Sequence, residues 1–426
     1  MEDGRVDNGV FKNWGETLVG GASGSYTGSA YTIDLSQGNV FNLFLNTNCA
    51  FTFSNPTGSG AICSFTLILH QDGTGSRVAT WPTAVSWPYA PDISVLSTTA
   101  NSINVLSFVT YDGGATWFGF VAAAGYGGSA GPTGPNYFGY FGGGNTGSSI
   151  STVDRIDYSN DTATGIIKGP LSLARYRLAA VGNSSFAYFG GGYNPAFTTI
   201  DRLDYSNDTT AAIAKGPLSV AVFGPSATGT SSFGYFGGGM QTTIGISTVN
   251  RVDYSNDTAT AAVKGPLSGA HYSQAATGNS SFGYFGGGYV APTSATISTV
   301  DRISYASDTS TAAVKGPLSL ARNRLAATGT SSFGYFSGGA GPVSTVDRID
   351  YSNDTATALA NSKLTSTRFQ HAGTGTSSFG YFGGGNGPLS TVDRIDYSND
   401  TATAVLKGPL SSARIYLAGI QSTACF

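Results

Sequence analysis

Cysteine is nearly absent: Cys49, Cys63 and Cys425 are the only three in 426 residues. Their spacing makes neither a disulfide framework nor a zinc site, and it suits assembly in a reducing compartment. Cys49 and Cys63 read as half-buried strand thiols. Charge is thin as well, at 11% of residues with a net charge of -3 and no basic block. A nucleic-acid footprint needs clustered Lys and Arg, so nucleic acid is not an expected partner. No apolar run is long enough to cross a bilayer, so no membrane insertion is expected, and Met1-Glu2-Asp3-Gly4-Arg5 opens no signal-peptide core. The three histidines, His70, His271 and His371, have no second His or Cys at ligand spacing. Nucleophile elbow, phosphate loop and paired-acid motif are all missing. The reading is a non-enzyme with no catalytic residue, no cofactor and no metal.

What is abundant is glycine, 61 residues or about twice the usual share of roughly 7%, with 25 Phe and 23 Tyr. Tight turns and aromatic strands predict an all-β chain. An aromatic-glycine block recurs with its first Phe at Phe138, Phe186, Phe233, Phe282, Phe333 and Phe379. Its period, in the high forties, is blade-sized. Each copy continues through Asp-Arg, a Tyr-Ser-Asn-Asp-Thr turn, an Ala-Val-Lys segment, Lys-Gly-Pro-Leu-Ser and a small-residue stretch such as Leu-Ala-Ala-Thr-Gly. Four strands per copy is a propeller blade.

Four segments follow. Residues 1–24 are a polar arm, expected to dock on a neighbouring subunit. Residues 25–124 are short alternating strands, including Tyr31–Leu35, Val40–Leu45, Ala50–Phe53, Ile62–Leu69, Ile103–Tyr111 and Thr116–Val121, the last two flanking the hairpin signal Asp112-Gly113-Gly114. They predict a β-sandwich or jelly-roll-like module. Residues 125–136 are a Gly/Pro linker. Residues 137–426 are six blades. The array opens without a small-residue strand and closes with a surplus one, Ala413–Ile420, so the C-terminal strand is expected to complete the first blade and shut the ring.

The repeated residues read as structure. Asp154-Arg155, Asp201-Arg202, Asp301-Arg302, Asp347-Arg348 and Asp393-Arg394, with Asn250-Arg251 between them, recur too often for a catalytic pair and predict an ion pair between blades or a turn brace. Asp157, Asn160 and Asp161 are oxygen donors that could suit calcium, but their spacing matches no known calcium loop, and Asx-turn chemistry explains them.

Two resemblances follow from the motifs. Asp34-Leu35-Ser36-Gln37-Gly38-Asn39-Val40-Phe41, Phe51-Thr52-Phe53-Ser54-Asn55-Pro56, Gln71-Asp72-Gly73-Thr74-Gly75-Ser76, Thr80-Trp81-Pro82 and Phe108–Trp117 resemble a module of tailed-bacteriophage virion fibres, notably of phages of marine bacteria, the cyanophage type. The repeats resemble kelch repeats, with Ala, Ile, Val or Leu on the fourth strand where kelch carries Trp. The octet Thr110–Trp117 is also similar to the Asp-box of sialidases, itself a structural hairpin. The fibre resemblance implies a virion structural protein, a tail fibre or other surface fibre, assembled in the host cytoplasm. It would join other virion proteins through its N-terminal region and form a homo-oligomer, a trimer by analogy. The function expected is host-surface adhesion. A non-adhesive decoration protein is the alternative, and a carbohydrate-active enzyme is a third reading.

Comparison among copies locates the expected receptor surface. Two connections barely change and two change greatly. In an up-and-down blade alternate connections share a face, so variation should collect on one face, the usual interaction surface of a repeat array. The candidates there are Tyr176, Arg177, Tyr193, Phe197, Phe223, His271, Tyr272, Tyr289, Arg324, Phe369, His371 and Tyr416, aimed at a host glycan or protein.

Overall fold

A computed structural model describes residues 17–20, 25–87, 96–98, 100–126, 138–341 and 343–421. Most of the predicted arm (1–24) and of the predicted linker (125–136), and Tyr137, lie outside the described residues. The fold is all-β, with no α-helix among the described residues. The chain divides into two compact units, Met1–Thr133 and Gly134–Phe426.

In the first unit, alternation writes the strands. Cys63–Gln71 buries Phe65, Leu67, Leu69 and Gln71, and Ile103–Thr110 buries Asn104, Leu106, Phe108 and Thr110, every second residue of each strand. A seven-stranded sheet runs in the order Leu18–Val19, Val40–Leu45, Cys63–Gln71, Ile103–Thr110, Trp117–Tyr126, Val85–Ser86, with Ser25–Tyr26 also on Val40–Leu45. A smaller sheet holds Ala30–Asp34, Cys49–Ser54 and Ala79–Thr80. Ile33 and Phe51 of the small sheet share one core with Phe41, Phe65, Phe108 and Trp117 of the large one.

Two sheets around a shared core fit the sandwich expectation, but a jelly roll is antiparallel and this unit is largely not. Ala30–Asp34 pairs in parallel with Cys49–Ser54, and Val40–Leu45 in parallel with Cys63–Gln71. From Ala30–Asp34 to Ala79–Thr80 the chain alternates between the sheets, so Cys49–Ser54, Cys63–Gln71 and Ala79–Thr80 each return beside the strand two before. Period-2 alternation is identical in both arrangements, which is why the pattern alone did not distinguish them. Only the end is a hairpin: Ile103–Thr110 pairs antiparallel with Trp117–Tyr126. At its tip Gly113 and Gly114 take φ of 72° and 90°, a conformation glycine adopts without steric cost. Asp112 Oδ1 accepts from Thr116 N at 2.9 Å and from Thr110 Oγ1 at 2.8 Å, so the Asp-box-like octet braces a turn.

The second unit contains six four-stranded antiparallel sheets. The second sheet is typical: an inner strand Ala179–Gly182, then Phe186–Gly190, Ile200–Asp204 and an outer strand Ile213–Ala214. The first sheet takes its inner strand from the far end of the sequence. Ala418–Gln421 pairs antiparallel with Phe138–Gly142, Gly142 opposite Ala418 and Gly139 opposite Gln421. The inner strands Ala179–Gly182, Ser226–Gly229, Ala275–Gly278, Ala326–Gly329, Ala372–Gly375 and Ala418–Gln421 neighbour one another in cyclic order. They line an axial cavity of about 90 Å³, as expected where converging strands leave room only for small side chains.

Apolar clusters lie between consecutive sheets. Tyr140 and Val153 of the first pack with Ala187, Phe189 and Leu203 of the second, and Phe141 and Ile156 of the first pack with Tyr381 and Val392 of the sixth. Close approach favours glycine at the end of the aromatic strand, where the fifth sheet alone has Ser337. A Cβ on Gly142 would lie 2.5 Å from the Phe189 ring of the next sheet, and one on Gly383 3.0 Å from Phe141.

Candidate functional site at the variable face

Two ionic networks order the repeats, one between neighbouring sheets and one within each sheet. In the first, the arginine of each Asp-Arg pair reaches the turn aspartate of the following sheet: Arg155–Asp208 (2.9 Å), Arg202–Asp257 (2.8 Å), Arg251–Asp308 (2.7 Å), Arg302–Asp354 (2.7 Å), Arg348–Asp400 (2.8 Å) and, from last sheet to first, Arg394–Asp161 (2.8 Å). Each guanidinium also covers the Phe that opens its own aromatic block, as Arg155 does Phe138 at 4.1 Å. A tyrosine hydroxyl donates to the same carboxylate, as Tyr140 does to Asp208 at 2.9 Å. Burial, then the charge of Asp308, pushes Tyr235 up to about 12. The repeated Asp-Arg is therefore an inter-sheet brace. The calcium alternative loses its donors: Asp161 is taken by Arg394, Lys407 and Tyr381, and Asp157 accepts from Ser159 N at 2.9 Å.

The second network is fully buried. The aspartate of each Asp-Arg pair meets an arginine that precedes an inner strand: Arg175–Asp201 (3.1 Å), Arg322–Asp347 (2.8 Å), Arg368–Asp393 (3.1 Å) and Arg414–Asp154 (2.9 Å), all at zero exposure. Burial pulls these four arginines below the usual arginine range, against the opposing pull of the facing aspartates. The remaining copies are instructive. Val222 stands in one arginine position, and there the aspartate is Asn250. His271 stands in the other, with Nδ1 3.5 Å from Asp301. Losing one partner of a buried pair strands a charge, and in the third copy both partners have changed together.

This register corrects two candidates. His271 is buried, facing Asp301 in the place of the buried arginines. His371 occupies the place of Leu178 in the second copy and is buried, with Nε2 2.8 Å from Ser337 Oγ, a serine where the other copies have glycine. Burial and the charges of Arg368 and Arg322 hold its pKa well below 6.5. Phe223 and Tyr272, at 6% and 9% exposure, are also interior rather than displayed.

The two variable sets of connections do meet on one face. Tyr176 bridges to Tyr193, Phe223 to Met240, Asn145 to Ile415, and His271–Tyr272 pairs with Tyr289–Val290. At the axis this face is closed by six residues, each the second after the buried-pair position. Arg177 N donates to Tyr416 O (2.9 Å), Gly224 N to Arg177 O (2.7 Å), Ser273 N to Gly224 O (2.9 Å), Arg324 N to Ser273 O (2.7 Å), Gln370 N to Arg324 O (2.8 Å) and Tyr416 N to Gln370 O (2.7 Å). All six have φ between 54° and 63°. Five are not glycine, and left-handed backbone costs such residues of order 1 kcal/mol or more each.

That geometry turns particular side chains to the mouth. The Arg177 guanidinium lies over the Tyr416 ring at 4.4 Å and near Phe223 at 5.6 Å; Arg324 lies 6.0 Å from the Tyr416 ring and 5.8 Å from Tyr289. Arg177 Nη2 donates to Tyr416 OH at 2.8 Å, and Gln370 Nε2 donates to the same oxygen. Tyr193 contacts Tyr176 and Phe223, and Tyr176 contacts Tyr416. The structure thus brings together eight predicted residues: Arg177, Arg324, Tyr416, Tyr176, Tyr193, Phe223, Tyr289 and Tyr272. Phe197 and Phe369 are half-buried on the same loops with no ring contact to the cluster among the described residues. Gln370 was not a candidate; alignment of the copies on the left-handed position would have found it.

Residues 24–116 match the family described as "Putative phage tail fibre C-terminal domain". The match supports a phage tail fibre protein, a structural component of the virion. It lies within the first unit and leaves the repeats outside it. No curated protein matches the chain.

Proposed function

We propose that residues 137–426 form a six-bladed, kelch-like propeller closed by its C-terminal strand, and that this tail-fibre chain presents it for adhesion to the host surface. Closure is supported by the cyclic order of the inner strands and by the pair Arg394–Asp161, which joins last sheet to first. The observation that carries adhesion is the sorting of variation. Both changeable sets of connections pair with each other on one face, whereas the Tyr-Ser-Asn-Asp turns of the other are nearly identical in every copy.

The protein acts without catalysis. The first unit joins other virion proteins after assembly in the host cytoplasm, and a homo-oligomer, a trimer by analogy, makes weak contacts add through effective concentration. The partner is a glycan or protein of the host surface. A non-adhesive decoration role is the second reading, favoured by the burial of Phe223, Tyr272, His271 and His371 within that face.

Competition decides between them. Purified full-length protein added to host cells should reduce phage adsorption. A variant with Tyr193, Tyr289, Arg177 and Arg324 all changed to Ala should lose that effect with its melting temperature kept. Protein that is present on particles yet fails to compete at saturation makes it a decoration.

A further inference from the structure

We propose that the axial mouth of the variable face is a binding site for an anionic saccharide, a sugar bearing carboxylate or phosphate, held between Arg177 and Arg324. This rests on the adhesion reading and names the ligand class.

The argument begins with charge pairing. Ten other arginines in the repeats, six on the turn aspartates and four on the buried ones, are committed to carboxylates. Arg177 and Arg324 alone have no ion pair among the described residues. The loops around them hold no Asp or Glu at all: neither 145–150, 193–198, 240–247, 289–298, 340–344 and 386–390, nor 172–177, 219–224, 268–273, 319–324, 365–370 and 411–416. The acids of the repeats are buried against arginine or, for Asp301, against His271, or are placed in the turns of the opposite face, where Asp157, Asp204, Asp253, Asp350 and Asp396 cap the turns or open them. A chain of net charge -3 therefore presents two unpaired guanidiniums together on this face, and their field attracts an anion.

Convergence makes the charges a site. Arg177 and Arg324 hold opposite positions in the hydrogen-bonded ring of six, three sheets apart, yet both guanidiniums flank the ring of Tyr416. Stacking satisfies a guanidinium face and leaves its N–H edge to donate, and that planar fork matches carboxylate and phosphate alike. The Nε atoms of both arginines are buried without a hydrogen-bond partner.

The third component is an acceptor. Gln370 is 8% exposed; its Nε2 is used on Tyr416, and its Oε1 has no partner. A buried amide oxygen on the side chain that shares Tyr416 OH with Arg177 suits a hydroxyl donor. Tyr176, Tyr193 and Tyr289 add ring faces at the rim of the same cluster, surfaces on which the C–H face of a sugar ring packs. Anion donors, a hydroxyl acceptor and aromatic faces together define an acidic sugar.

The test immobilises the full-length protein and offers polygalacturonate (carboxylate), a phosphomannan (phosphate) and neutral dextran. At least one polyanion should bind, more weakly at high salt, and dextran should not; which polyanion binds identifies the anion. The variant Arg177→Gln/Arg324→Gln should lose roughly tenfold or more of that affinity, the scale of a charge-assisted hydrogen bond. Its melting temperature should hold, because Gln370 already occupies an equivalent left-handed position. Arg177→Lys/Arg324→Lys, keeping charge and losing the fork, should fall between. Equal binding of dextran and polyanions, or equal binding by parent and Gln variant, overturns the proposal. If the Gln variant blocks phage adsorption as well as the parent, the anion site falls while adhesion stands; if the parent fails to block it, adhesion falls.

Discussion

The first unit encloses Phe41, Phe65, Phe108 and Trp117 in one contiguous core, with no charged side chain among its described buried residues, whereas the repeats place Arg175, Arg322, Arg368 and Arg414 at zero exposure against aspartates. An apolar core is non-directional and accepts many packings of similar volume. A buried ion pair accepts one geometry and punishes any half-completed one. The first unit is built once, and its core is stitched by a chain that crosses between sheets. The repeat region must make the same sheet six times and still close on itself, so each sheet needs register as well as burial. The third copy shows how strict that is: where arginine gives way to Val222, aspartate gives way to Asn250.

The largest effect that would break the contrast comes from the ring. Ending the chain after Leu417 removes the strand that covers Phe138–Gly142. Each sheet buries its faces only against its neighbours, so calorimetry should show the repeat transition lost or broadened while the transition of the first unit persists. Retention of a single sharp repeat transition would show that closure is dispensable.

Next in size are the buried pairs. Asp347→Ala strands Arg322 and should cost about 3–5 kcal/mol in urea unfolding. Asn250→Asp places a carboxylate against Val222 and should also destabilise, and adding Val222→Arg should recover most of the loss. An additive double variant would break the argument that the two positions changed together.

The smallest effect sharpens the comparison through pH. The pKa of His371 in the folded protein lies well below 6.5. The unfolded chain therefore binds a proton that the folded one refuses, so stability is full above about pH 6.5 and declines as pH falls through it. Ser337→Gly/His371→Leu restores the glycine and leucine that the second copy has at Gly190 and Leu178. That variant should flatten the pH dependence of the melting temperature between neutral and mildly acidic pH, and an unchanged slope would assign it elsewhere.

The repeats were legible because the chain supplies its own comparison. Six aligned copies exposed the strand order, the surplus C-terminal strand, the inter-sheet role of Asp-Arg and the two faces. His271 and His371 were misassigned because they sit in variable stretches, and variability reads as exposure until a partner is known. Each partner, Asp301 or Ser337, lies about thirty residues away on another strand. In the first unit, with one copy only, alternation gave the strands but not their direction.

The amino-acid order by itself determined the period, the alternation and the small residues of the inner strands, because these follow from local backbone geometry and from the space each position can hold. Only the tertiary structure decided which charges are spent and which are free. Arg175 and Arg177 are two residues apart, and one is locked against Asp201 while the other, turned by a left-handed backbone, lies over Tyr416. Pairing depends on segments far apart in sequence being brought together, and a linear string carries no distance between them.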